Sequence, residues 1–182
     1  MKKVIAPAIE VLRLVFAYDP DTGRLTWRFR PREHFTSDRG WRQRNGLAGK
    51  AAGWVTDRGA IQVIFKLGDV KHRHYAHRIA WAIHYGSWPE AEIDHRDGDE
   101  GNNRISNLRE ATREQNMQNL ARQKGKTRLL GAYPNGGGFC SRIKVGGVDH
   151  YLGQFATERE ANAAYLKAKA QLHIFQPVPR DE

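Results

Sequence analysis

Apolar and polar positions along the chain alternate between two periods, and the switch between them sets out the elements. Ile9, Leu12, Val15 and Phe16 recur at helical spacing, so Ala8 to Tyr18 is predicted as a short helix. Asp19-Pro20-Asp21-Thr22-Gly23 ends it with a turn, and Leu25 to Phe29 then reads as a strand. Arg30 to Lys50 shows no period and is predicted as a long polar loop. Its Arg39, Arg42 and Arg44 around Trp41 fit either a nucleic-acid-contacting arm or a basic surface. Three strands follow at Ala51 to Val55, Ala60 to Leu67 and Lys71 to Tyr75, with Gly68-Asp69 as a hairpin turn. His77 to Tyr85 has helical spacing and is stopped by Gly86.

The next stretch, Ile93 to Asn119, carries the densest polar pattern. A short apolar approach ends in Asp94-His95, a turn of Asp, Gly and Asn follows, and Arg104 to Leu108 forms a second short segment. Thr112-Arg113-Glu114-Gln115 is a capping box that should open a helix. The order is strand, loop, strand, helix. Asn107 stands twelve residues after His95, and Asn116 nine after Asn107. Asp94 and Asn116 offer hard oxygen ligands suited to a divalent cation such as Mg²⁺ or Mn²⁺. His95 has the intrinsic pKa of a general base near neutrality, though on a regular strand it faces away from Asp94. Asn107 suits a role orienting His95. Taken singly, such residues are ordinary turn formers. Their joint spacing is what points to chemistry.

After the basic segment Ala121 to Arg128, where a domain boundary is placed, three further strands are drawn at Gly131 to Tyr133, Phe139 to Val145 and His150 to Phe155. Thr157-Glu158-Arg159-Glu160 is a second capping box, and Ala161, Ala164, Tyr165, Ala168 and Leu172 share one face of the helix after it. The expected class is therefore α+β. Its organisation is a helix and β-rich leader over 1–76, a strand–strand–helix core over 77–122, and a linker with a three-strand-plus-helix module over 123–182.

Charge sharpens the reading. The net charge is +10, split as +8 over residues 1–76, −3 over 77–120 and +5 over 121–182. A basic chain whose one acidic segment holds the candidate cation ligands suits a polyanion better than a membrane surface. The single cysteine, Cys140, excludes an internal disulfide and a four-cysteine zinc site. His72, His74, His77 and His84 lack a paired ligand spacing, so no structural zinc is expected. Neither a signal peptide nor a transmembrane stretch is read.

The Asp94, His95, Asn107 and Asn116 pattern resembles the ββα-metal nucleases, the HNH endonucleases, in the His-Asn-Asn variant of phage homing enzymes. The resemblance implies His95 as general base, Asn107 as its structural partner, and Asp94 and Asn116 as ligands of one divalent cation. Arg104 and Arg109, flanking Asn107, become candidate phosphate ligands. Arg78 fits either a phosphate contact or capping and packing at its helix start. The leader resembles the β-rich segment of phage HNH proteins. The strings GFCSRIKVGG, YLGQFATEREANAAY and KAQLH resemble the AP2 DNA-binding domain over about residues 127–175, which implies DNA contact by Arg142 and Lys144 on the outer sheet face. Phe139 and Cys140 depart from that pattern, standing where Trp and a base-contacting Arg are usual.

Together these imply a metal-dependent endonuclease acting on double-stranded DNA, without an obligate protein partner and in the cytoplasm of a bacterial host. A DNA-binding regulator with an inert core is the main alternative, and an RNA-binding or structural protein a third.

Overall fold

The computed structural model describes residues 6–119 and 129–175. The basic segment 121–128, and the boundary placed in it, lie outside the described residues. The chain divides into two compact units. One runs up to His95 and resumes over Asp99–Glu110; the other takes Arg96–Gly98 and the chain from Ala111 onward. Helices mixed with small sheets make the class α+β.

In the first unit, helix α1 is Ile9–Val15 and ends earlier than its spacing suggests. Phe16–Tyr18 is instead strand β1, paired antiparallel with β2, Leu25–Trp27, so that Phe16 faces Trp27 and Tyr18 faces Leu25. The reason is packing. The extended backbone sets the Phe16 ring edge-on against Phe65 at 5.1 Å and beside Trp27 at 4.9 Å. That contact outweighs one more helical turn, because burying such a ring is worth roughly 2 kcal/mol and helix propensity far less. Asp19 builds the hairpin turn: Oδ1 accepts from the Asp21 and Thr22 amides, and Oδ2 from the Thr22 hydroxyl at 2.7 Å. Strand β2 stops at Trp27, and Phe29 is exposed.

The polar stretch expected as a loop holds a short 3₁₀ turn, Arg32–His34, and helix α2, Asp38–Asn45. Its signals are polar ones. The Ser37 hydroxyl accepts from the Gly40 amide, and the Asn45 side chain clamps both the amide and the carbonyl of Arg30. No residue of α2 is buried, so it carries no apolar stripe to read.

Strands β3 (Trp54–Val55), β4 (Ile61–Leu67) and β5 (Val70–Tyr75) form a sheet in that order. Only two residues of the expected first strand pair in it; Ala51 instead bridges to Thr26. Val63 and Phe65 point inward. Helix α3, Ala76–Tyr85, closes over them and ends at Gly86, whose φ of +77° only glycine adopts readily. Ala76, Ile79 and Ala82 share one cluster with Leu12, Val15, Phe16, Leu25, Val63 and Phe65. The leader and the helix read as opening the next module therefore have a common core. Strand β6, Glu92–His95, pairs with β7, Leu108–Ala111, after a 3₁₀ turn at Ile105–Asn107.

In the second unit, after helix α4 (Arg113–Gln118), strands β8 (Ala132–Asn135), β9 (Gly138–Val145) and β10 (Val148–Phe155) form an antiparallel sheet in sequence order. Helix α5, Glu158–Leu172, opens with the capping box of Thr157 and Glu160. Ser141 and Ile143 face it with Ala161 and Ala168. Of the face expected on α5, Leu172 is exposed, while Lys169 is buried with its amine pKa lowered by desolvation.

The β5 histidines are part of the first core. His72 stacks on Phe65 at 5.3 Å, and His74 lies against Trp88 at 4.8 Å. Nδ1 of His72 and Nε2 of His74 are buried without a hydrogen-bond partner. Burial lowers the pKa of both, with charge repulsion from His72 and Arg78 adding to it at His74. The unfolded chain therefore binds protons that the folded chain refuses, and stability falls as pH drops through the unfolded value of about 6.5 toward the lower folded ones. A Tm fall of roughly 5 °C between about pH 7 and pH 5 is expected by calorimetry. Replacing both histidines with leucine should reduce the fall and leave the share due to His77, whose pKa burial also lowers; an equal fall in that variant would place the acid-sensitive groups elsewhere.

Candidate functional site

Asp94 and His95 lie at the end of β6, and with Ile93 they make three consecutive buried residues. Burial of two adjacent polar side chains at a strand end demands partners for both. Asp94 Oδ2 accepts a charge-assisted bond of 2.7 Å from Arg109 Nε on β7, with the carboxylate 4 % and the guanidinium 14 % exposed. His95 Nε2 lies 3.1 Å from Oδ1 of Asn103. The flat of one imidazole meets the edge of another: His77, at the start of α3, stands 5.1 Å from His95 at 83°. Burial, then the neighbouring His95 and Arg78, push the His77 pKa down to about 3, so that its ring is neutral at physiological pH.

Between the two strands the loop is built from its own polar side chains. Asp99 Oδ1 accepts from the Gly101 amide, and Asn107 Nδ2 donates to the Asn102 carbonyl at 2.8 Å. Asn107 is buried in the 3₁₀ turn, where this bond holds the loop. Asn103, which sequence reading took for a turn former, is the side chain that meets His95.

The arginines sort themselves by exposure. Arg78 donates to the carbonyls of Ala91 and Pro89, each at 3.0 Å, bonds that pack it at the helix start. Arg109 is engaged by Asp94. Arg104 is exposed and available to a polyanion.

In the second unit Thr112 and Gln115 form the expected capping box, and Asn116 follows on α4. Asn119, at the end of α4, is buried. Arg142 and Lys144 project from the outer face of β9, with the Arg142 guanidinium 4.6 Å over the Tyr133 ring and Lys144 4.0 Å from Asp149. Both cations, with Arg113 and Tyr133, line a cavity of about 1020 Å³.

Among the described residues, no group of three or more His, Cys, Asp or Glu side chains could hold a metal ion. A site made of one carboxylate and amide oxygens would not form such a group. Asp94 supplies one carboxylate of the hard-oxygen class such a site needs, with one oxygen paired to Arg109.

Residues 74–118 match the HNH endonuclease family model. The match spans α3, β6, β7 and α4, and so includes His77, Asp94, His95, Asn103, Asn107, Arg109 and Asn116. It supports a nuclease of the HNH kind; the leader and the three-stranded module lie outside it. The chain matches no curated protein and no solved structure.

The Asp94–Arg109 pair makes a measurable prediction. Arg109→Ala leaves a buried carboxylate without its cation and should cost roughly 3 kcal/mol in urea unfolding. Asp94→Asn in the same background should recover much of that loss, because the unpaired charge is gone. Strict additivity of the two changes would show that the pair contributes no coupling.

Proposed function

We propose that this protein is a metal-dependent DNA endonuclease of the HNH type, hydrolysing phosphodiester bonds in double-stranded DNA. The observation that carries the reading is the buried Asp94-His95 pair at the strand end, inside the matched segment. In the reaction, His95 accepts the proton of a water that attacks phosphorus, and the 3′ oxygen leaves. Asp94 and Asn116 are oxygen donors of the hard class that Mg²⁺ or Mn²⁺ prefers. Such an ion would polarise the phosphate and neutralise charge on the leaving oxygen. Arg104 contacts phosphate, and Arg142 and Lys144 with Tyr133 bind duplex in the manner of an AP2-like sheet. The +10 charge serves the same end. A free-standing homing enzyme of phage origin, working in a bacterial cytoplasm, is the setting this combination suits.

One observation favours a second reading. Arg109 occupies an oxygen of the carboxylate assigned to the cation, as it would in a DNA-binding regulator with an inert core. Plasmid cleavage separates the two. Supercoiled DNA should be cut with Mg²⁺ or Mn²⁺ and left intact with EDTA; full cleavage in EDTA rules out the metal-dependent mechanism. His95→Ala should lower the single-turnover rate by roughly 10²–10⁴ with little change in DNA affinity, because only the proton acceptor is lost. A variant cutting at the wild-type rate would remove His95 from the chemistry.

The basic sheet face is tested by salt. Replacing Arg142 and Lys144 with alanine should weaken DNA binding and reduce the slope of log K against log salt by roughly 2. An unchanged slope would show that the face does not touch phosphate.

A further inference from the structure

The nuclease reading names His95 as the base but leaves open which of its nitrogens takes the proton. A neutral imidazole carries its hydrogen on one nitrogen and its lone pair on the other, and the partner of either nitrogen fixes both. Nε2 of His95 faces Oδ1 of Asn103 at 3.1 Å. An amide oxygen only accepts, so Nε2 must donate. Asn103 is 2 % exposed, so the contact is shielded from bulk solvent.

Asn103 is itself gripped from the leader. The Tyr18 hydroxyl donates to its backbone carbonyl at 2.8 Å, and the Ile105 amide donates to the Pro20 carbonyl at 3.0 Å. Between these bonds the hairpin turn presses directly on the loop. A Cβ on Gly23 would fall 2.4 Å from the Arg104 amide nitrogen and 2.5 Å from the Asn103 carbonyl carbon, distances no side chain could keep. Only glycine fits there, and its φ of +72° suits glycine as well. The His77 ring, 5.1 Å away and nearly perpendicular, packs against the His95 ring.

We infer that Asn103, held in place by the Tyr18–Gly23 hairpin, is a positioning residue that locks the proton of His95 on Nε2 and so makes Nδ1 the nitrogen that accepts the water proton. This rests on the nuclease reading for its consequence in catalysis, but not for the tautomer itself. The neutral state of His77 agrees with it, since a charged neighbour would compete for the same lone pair. The leader is then part of the nuclease site, because the loop that orients the base is shaped by Tyr18, Pro20 and Gly23.

The test has two arms on the full chain. In the first, nitrogen-15 spectra of the histidine side chains are recorded at mildly alkaline pH without metal or DNA, with the His95 signals identified by their loss in His95→Ala. The expected result is a protonated Nε2 and an unprotonated Nδ1 in the wild type, retained in Asn103→Asp and mixed in Asn103→Ala. A wild-type proton on Nδ1, or an unchanged pattern in Asn103→Ala, overturns the inference.

In the second arm, single-turnover cleavage at saturating DNA is compared with DNA affinity. Asn103→Ala should lose roughly 10–100-fold in rate with affinity kept, as loss of an orienting partner does. Asn103→Asp should keep most of the saturating rate while binding DNA more weakly, since its oxygen still accepts but its charge faces a polyanion. Tyr18→Phe should give a smaller rate loss of the same kind, and it keeps the arm informative if Asn103→Ala does not fold. Asn103→Ala cutting at the wild-type rate, or a folded Asn103→Asp as inactive as Asn103→Ala, overturns the inference while wild-type cleavage upholds the nuclease reading. A wild type that cuts nothing defeats the nuclease reading and leaves the tautomer to the spectra.

Discussion

The first unit depends on one close approach, the backbone of the Asp19–Gly23 turn lying against the backbone of Asn103 and Arg104. The strand pair that carries Asp94 and His95 cannot order itself. Its own cluster has three buried apolar residues, Ala80, Ile93 and Leu108. At roughly 2 kcal/mol for each large side chain, that is too little to fix two four-residue strands and the loop between them against chain entropy. The order comes from the larger neighbouring core. Phe16, Phe65 and Ile79 anchor the leader and α3 together. The leader then grips the loop through Tyr18, Pro20 and Gly23, while α3 reaches it through His77. A precise polar site is thus built on a small strand pair by drawing rigidity from an apolar core in the same unit.

The same logic governs the charges. Two strongly polar groups are buried side by side at the end of β6, and each is answered by a partner fixed in another element: Arg109 from the paired strand, Asn103 from the loop. Removing either partner exposes the remaining group to the full cost of burial, which exceeds the net gain of the bond that is lost. The arrangement therefore holds geometry more strongly than it adds stability. The unpartnered nitrogens of His72, His74 and His77 show the opposite case, where neutrality replaces a partner. These rings stay inside because they give up the proton.

What was legible in the sequence was local. Asp94-His95 at a strand end and the Thr112–Gln115 capping box are contiguous signals, and both fall where they were read. The three-strand-plus-helix pattern of the second unit was legible for the same reason, since its strands follow one another and pair as neighbours. The misses share a different cause. Phe16 left its helix for partners eleven and forty-nine residues onward. Helix α2 is held by Ser37 and Asn45, with no apolar stripe to detect. Asn103 looked like one more turn residue in Gly-Asn-Asn-Arg, because its importance lies in Tyr18 behind it and His95 before it, eighty-five and eight residues away. Ala76, Ile79 and Ala82 share a core with the leader through long-range contacts that no change of period marks.

The choice of an amide at position 103 has a physical reason within the proposed reaction. A carboxylate there would accept from Nε2 more strongly, and stabilise the imidazolium formed when the water proton arrives. It would also place a second buried anion in a segment that already carries a net charge of −3 and must receive a phosphate. Two negative groups a few ångströms from an incoming phosphodiester raise the energy of the complex in a low-dielectric site. An asparagine orients the ring and adds no charge, leaving Asp94 as the one buried anion at the strand end. Orientation and charge are thereby assigned to separate side chains. Asn103 can keep the Nε2–H bond and the ring orientation throughout the reaction, while the carboxylate beside it is left to balance cations.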